Sequence, residues 1–278
     1  MIELSEIKTG NVVKFNNHVN PEIYAVDKIE DNGISKIAIL KGITHRIETS
    51  GNIQELEIVD LNKLNKVLEN FETKINTRTD QLLENYKKLD NIYDKTREEK
   101  YRISEKILHL DGDKEYANKS SRIYSKFGLN AIVKNIKENR QPLEIRGLLD
   151  KYKPEILIIT GHDGMINKRK FYNDIMNYRN SRYFIKTVEE ARKWERGSKK
   201  IAIFAGACQS YYEAIMEAGA NFASSPARIL IDFMDPLIIA QKIAVTPNEK
   251  YITMRDIRDY LKNGERGISG IGTYGKLL

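Results

Sequence analysis

The chain has 278 residues, with 46 Lys or Arg against 39 Asp or Glu and a formal net charge of +7. The two signs are interspersed, which reads as a solvated mixed-charge surface and disfavours a dedicated nucleic-acid face. A single cysteine excludes an intramolecular disulfide and fits a reducing compartment. No apolar run approaches the ~18 residues of a membrane span, and the start MIELSEIKTG shows no secretory leader.

Residues 1–60 alternate between short apolar runs and turn residues. GNVVKF (Gly10 to Phe15), EIYAVDKIED (Glu22 to Asp31), SKIAILKGI (Ser35 to Ile43), HRIETS and LEIVD (Leu56 to Asp60) fit five strands. A small SH3-like β-barrel is the economical architecture, suited to docking or substrate recruitment. His18 and His45 lie in turn-like settings and read as solvated. From residue 61 to 104 the period changes. Leu61, Leu64, Val67, Leu68, Phe71 and Ile75, then Leu82, Leu83, Tyr86, Leu89 and Tyr93, form the stripe of a long helical connector. Thr77-Arg78-Thr79-Asp80 is a candidate break.

Residues 105–278 alternate strand and helix patterns. KILHLDGD (Lys106 to Asp113), NAIVKNI, EILIITGHDG (Glu155 to Gly164) and KIAIFAGACQS (Lys200 to Ser210) read as buried strands. KEYANKSSRIYSKFG, QPLEIRGLLDKYKP and residues 187–196, with Trp194 covering the sheet, read as helices. This order specifies an α/β domain with a doubly wound parallel sheet. Ligands and chemistry collect past the carboxyl ends of such strands.

Two of those ends carry reactive side chains: the third strand delivers His162 and the fourth delivers Cys208. A free thiol is mostly protonated at neutral pH, and an imidazole beside it can take that proton and later pass one to a leaving amine. The run after Cys208 opens a helical pattern, so its macrodipole is expected to favour thiolate. Backbone N–H groups of Gly161, Asp163, Gly164 and Cys208 are candidates for an oxyanion site. His109 competes as the base, but it sits inside an apolar run and reads as buried and hydrogen-bonded. With no second cysteine and no His-x-x-x-His pair, no metal is expected. GISGIGTYG near the end lacks the lysine of a phosphate loop, and no cofactor is expected.

The aliphatic block, His162, Asp163-Gly164 and the second block ending Ala207-Cys208 resemble the caspase, gingipain and legumain clan of cysteine peptidases. The histidine-to-glycine step is one residue longer here than in most of that clan. The stretch GACQSYYEAIMEAGANFASSPARILIDFMDPLIIAQKIAVTP closely resembles the YabG family of sporulation-specific proteases. These resemblances imply a caspase-like fold, protein substrates in the spore coat and cortex, cleavage after arginine, and self-processing. They also imply a mother-cell cytoplasmic protein that associates with the spore coat. An arginine pocket needs a carboxylate. In caspase-like folds the loop after the first strand contributes to it, which here holds Asp111 and Asp113. Asp113 reads equally as a helix cap. Asp163 can orient His162 or shape the pocket, Ser224 can form a wall, and Asp235 in FMDP reads as a turn before Pro236. Arg78, Arg97 and Arg102 are the candidate self-processing sites. The competing readings are a non-enzymatic RNA- or coat-binding scaffold, which Cys208→Ala leaves unaffected, and more weakly a metal phosphohydrolase.

Overall fold

A computed structural model describes residues 7–16, 22–31, 33–90, 106–167, 171–195 and 200–277. The N-terminal strands are β1 (Val12–Phe15), β2 (Tyr24–Asp31), β3 (Lys36–Gly42), β4 (Glu48–Asn52) and β5 (Leu56–Ile58). They form one antiparallel sheet in the order β4-β3-β2-β1-β5. Alternation sends Val13, Val26, Ala38, Leu40 and Leu56 into a small core of its own. His45 departs from the solvated reading: its Nδ1 lies 3.0 Å from Glu22 Oε2. His18, Arg97 and Arg102 fall outside the described residues.

Helix α1 (Leu61–Asp90) runs unbroken through Thr77-Arg78-Thr79-Asp80. Thr79 Oγ1 donates to the Ile75 carbonyl at 2.7 Å, turning a potential breaker inward. Its stripe lies on the α/β domain: Ile75 and Leu82 are buried, and Phe71 packs with Tyr116 and Phe233. Arg78, a candidate self-processing site, is half-buried and engages Asp232 and Asp235 at 2.5 and 2.8 Å. Asp235 is correspondingly no loop residue. It opens α6 (Asp235–Val245), accepts from the Lys262 N–H, and burial pushes its carboxyl up to about 6.

The second sheet has six strands: β6 (Ile107–Asp111), β7 (Ala131–Asn135), β8 (Ile156–Thr160), β9 (Ala202–Ala205), β10 (Phe222–Ser224) and β12 (Ile268–Gly270). Their order is β12-β10-β9-β8-β6-β7. Five are parallel, but β12 pairs antiparallel with β10, so the sheet is mixed rather than wholly parallel. The ISG run within GISGIGTYG supplies that edge strand. β11 (Tyr251–Ile252) and β13 (Thr273–Tyr274) form a separate pair.

Period-two alternation divides the strand residues between two cores. Ile107, Ile156, Ile158 and Phe204 pack with α1, α2 (Lys114–Lys126) and α6 on one face. Leu108, Leu110, Leu157, Ile159 and Ile203 pack with α3 (Gln141–Tyr152), α4 (Ser181–Trp194) and α5 (Tyr212–Glu217) on the other. Burial of both faces explains why these strands read as continuous aliphatic runs. Within β6, His109 is fully buried between Tyr124 Oη at 3.1 Å and Thr160 Oγ1 at 2.7 Å. Desolvation lowers its pKa to about 3.

An unfolded histidine protonates near 6.5, whereas folded His109 resists protonation down to about 3. Acid therefore favours the unfolded chain, and stability present above pH 6.5 drains as the pH falls toward 3. Urea unfolding at a series of pH values should show His109→Gln losing less stability in this window, by up to about 1.4 kcal/mol per pH unit. A variant as acid-sensitive as the parent contradicts the assignment.

Candidate active site

Strands β8 and β9 are parallel neighbours, with Ile159 paired to Ala205. His162 and Cys208 each lie three residues beyond that pair, so sheet geometry carries both to the same edge. Asp111 ends β6 opposite Thr160 and reaches this edge too. All three side chains are fully buried.

What buries them is the hairpin between β3 and β4. The Arg46 carbonyl accepts from two backbone N–H groups, Asp163 and Cys208, each at 3.2 Å. The Arg46 side chain runs inward with 1% exposure. Its Nη2 lies 2.7 Å from Asp111 Oδ2, and its Nη1 donates to the Phe233 carbonyl at 3.4 Å. The guanidinium also sits 4.6 Å from the Tyr116 ring centroid and 5.0 Å from that of Phe233. A carboxylate, a backbone carbonyl and two aromatic rings thus form a slot fitted to arginine. Burial raises the carboxyl of Asp111, but Arg46, His109 and the Asp113 N–H outweigh it and hold the group below its ordinary value.

The hairpin continues along the site through a single β-bridge. Ile47 pairs with Asp163 in a parallel bridge, and the Glu48 N–H donates to the Asp163 carbonyl at 2.7 Å. A Cβ on Gly164 would fall 2.0 Å from the Glu48 carbonyl oxygen, so only glycine permits this approach. Asn180 Nδ2 donates to Glu48 Oε2 at 3.0 Å, and Arg179 Nη2 to Ser50 Oγ at 2.8 Å.

His162 Nε2 lies 3.2 Å from the Gly42 carbonyl, and its Nδ1 is buried without a hydrogen-bond partner among the described residues. The His162 N–H donates to Glu138 Oε1 at 2.7 Å. Cys208 Sγ accepts from the Ile231 N–H at 3.4 Å. Among the described residues no hydrogen bond links the sulfur to the imidazole; the Cys208 N–H and the imidazole each meet the same hairpin, at Arg46 and at Gly42. The helix expected after Cys208 begins only at Tyr212 and spans six residues. Burial therefore dominates: it pushes the thiol up to about 12 against the pull of the Ile231 N–H and Arg46. The macrodipole expectation fails for this closed arrangement. Gln209 follows with φ 57°, a left-handed conformation uncommon for a non-glycine.

The other sequence candidates divide. Asp113 caps α2, accepting from the Tyr116 N–H at 3.0 Å, and stays out of the arginine slot. The Asp163 side chain accepts from Ser181 Oγ and from Ser210 Oγ, the latter at 2.9 Å, and takes the Gly164 and Asn180 N–H groups at 2.8 Å. It fixes the loop instead of touching arginine or the imidazole ring. Gly161 makes room for Glu138, whose carboxylate lies 2.5 Å from where a Cβ would stand, and the Gly164 N–H is spent on Asp163. Neither glycine N–H faces the Arg46 carbonyl. Ser224 Oγ donates to the Ala207 carbonyl at 2.8 Å, away from the slot. Sequence reasoning missed Arg46, Tyr116, Phe233 and Glu138. For Arg46 a signal existed: it is the only arginine in the first 77 residues, among eight lysines.

Fold and site together describe an α/β protein with an extended peptide segment seated across the carboxyl edge of its sheet. The chain belongs to the YabG peptidase U57 family, whose model matches residues 8–278. It is 42% identical over 172 residues to the sporulation-specific protease YabG of Bacillus subtilis (strain 168). That match covers 62% of this chain and 59% of the relative, so the chain spans about three-fifths of that relative's length. No solved structure matches. Among the described residues no group of His, Cys, Asp and Glu converges as a metal site would, and no helix is long and apolar enough to cross a membrane.

A thiol with no exposed surface and a pKa pushed to about 12 should react slowly with iodoacetamide. Labelling of Cys208 in the folded, single-piece chain is expected to be roughly a thousandfold slower than in urea. Equal rates would contradict the closed site.

Proposed function

We propose that the chain is a cysteine endopeptidase that cleaves after arginine, with Cys208 as nucleophile and His162 as general base and acid. The observation that carries this reading is the pose of Arg46. Its carbonyl rests on the N–H groups of Asp163 and Cys208, while its guanidinium meets Asp111. A peptide carbonyl between two convergent donors is what an oxyanion site must provide. A buried carboxylate beside two aromatic rings supplies the specificity for a planar cation.

In this mechanism His162 takes the Cys208 proton, and Sγ adds to the carbonyl carbon after arginine. The Asp163 and Cys208 N–H groups hold the developing oxyanion. His162 then protonates the leaving amine as the C–N bond breaks. Water hydrolyses the thioester, with His162 receiving its proton and returning one to sulfur. Glu138, bonded to the His162 main chain, positions the base. Substrate entry admits water and relieves the desolvation that raises the thiol in the closed form.

The N-terminal sheet is read as an SH3-like barrel (residues 1–60), followed by the helical connector (61–104) and a caspase-like domain (105–278). By likeness to the sporulation protease, the substrates are proteins of the spore coat and cortex, and the chain acts in the mother cell and on the spore surface. It also processes itself.

Cys208→Ala should fold normally and lose all turnover of an arginine-containing reporter peptide; retained turnover contradicts the nucleophile. Asp111→Asn, which removes the carboxylate from a buried ion pair, should lower kcat/KM for the arginine peptide about a hundredfold or more. An unchanged value contradicts the pocket.

A further inference from the structure

We infer that the Arg46–Ile47 bond is the chain's own first substrate, cut in cis, and that the 42–48 hairpin closes the active site until that cut is made. The inference rests on the peptidase reading above and deepens it by naming the bond and the regulation that follows.

Contacts on both sides of this bond seat it across the site. On its acyl side, the Arg46 carbonyl meets both oxyanion donors and the side chain fills the arginine slot. On its amine side, Ile47 and Glu48 extend along Asp163, and Asn180 takes the Glu48 carboxylate. His162 Nε2 is anchored on the Gly42 carbonyl, which leaves Nδ1 free of other hydrogen bonds among the described residues. The Ile47 N–H donates to the His45 carbonyl at 2.8 Å, a tight turn that bulges Arg46 outward from its own sheet. Tyr116 Oη clamps the other side of the turn through the Ile43 carbonyl at 2.9 Å.

An arginine buried to 1% is otherwise hard to justify. Desolvating a guanidinium and a carboxylate costs several kcal/mol per ion, and packed apolar residues often serve stability better. The Nε of Arg46 is buried with no partner among the described residues, so the slot is not optimised as a structural lock. A site shaped to receive arginine and release it accounts for both features.

The chemistry balances with one water. Sγ bonds to the Arg46 carbonyl carbon, the C–N bond to Ile47 breaks, and the Cys208 proton moves through His162 to the Ile47 nitrogen. Water then displaces sulfur, leaving a carboxylate on Arg46 and a free amine on Ile47. The pieces remain joined after the cut. Residues 1–46 hold β1 to β3, which stay paired with β4 and β5 of the remainder. Only the short tail after Gly42 must swing out to open the slot. The two pieces are therefore expected to co-elute and separate only in denaturant.

Incubating purified full-length chain and reading intact mass in denaturant should give fragments 1–46 and 47–278, the larger starting Ile-Glu-Thr-Ser. The rate should not change with protein concentration. Arg46→Gln should remain one piece and leave the arginine reporter uncut, whereas Arg46→Lys, which keeps a cation on Asp111, should fold and cut more slowly. Cleavage elsewhere with the 46–47 bond intact, while the reporter is turned over, overturns the inference and spares the peptidase reading. So does a single-piece Arg46→Gln or Arg46→Lys chain as active on the reporter as the parent. No cleavage of chain or reporter overturns both.

Discussion

The buried pair of Arg46 and Asp111 is the constraint on which the site's arrangement depends. Both charges have left water, with side-chain exposures of 1% and 0%. Such a pair holds only where geometry and extra hydrogen bonds offset desolvation. The offsets are visible: the 2.7 Å contact, the Phe233 carbonyl, two aromatic rings and the Asp113 N–H on Asp111. The pair also couples the two sheets. Arg46 belongs to the hairpin of the small antiparallel sheet and Asp111 to the end of a central strand of the large one. Docking the hairpin buries His162 and Cys208 along with it.

This explains why a potential nucleophile is here so poor. A thiol is activated by water, nearby cations or helix N–H groups, and suppressed by burial. In the closed form burial wins, although Arg46 and the Ile231 N–H pull the other way. Under the proposed mechanism this closed form is a resting one, because the buried thiol holds its proton. The Asp163 cluster contributes from below: two serine hydroxyls and two N–H groups fix the loop whose main chain faces the hairpin. Backbone amides held by such a loop need little reorganisation when charge develops on a carbonyl oxygen.

Much of the large sheet was legible because its chemistry is local. ILIIT and AIFA are apolar on both faces, so their ends, and with them His162 and Cys208, could be located from sequence. The antiparallel edge β12 was not legible, since ISG is short and its pairing with Phe222–Ser224 is a long-range event. Asp111 and Asp113 were indistinguishable as pocket candidates: both precede α2, and strand direction alone decides that one faces the slot while the other caps the helix. The role of Arg46 was not legible for a different reason. In THRIETS it looks like any charged residue in a polar turn, and its burial exists only once two separately folded sheets meet. The strand pattern around it could be read; the docking could not.

Arg46 and Asp111 are bound to one another inside the site, and the closed arrangement depends on that pair. A double-mutant cycle on the Cys208→Ala background, which removes any cleavage, tests it directly. Urea unfolding of Arg46→Met, Asp111→Asn and the double variant should show each single change costing about 3–5 kcal/mol, with the double costing far less than their sum. Costs that add to within about 0.5 kcal/mol would show that the two side chains do not meet, and would contradict the account.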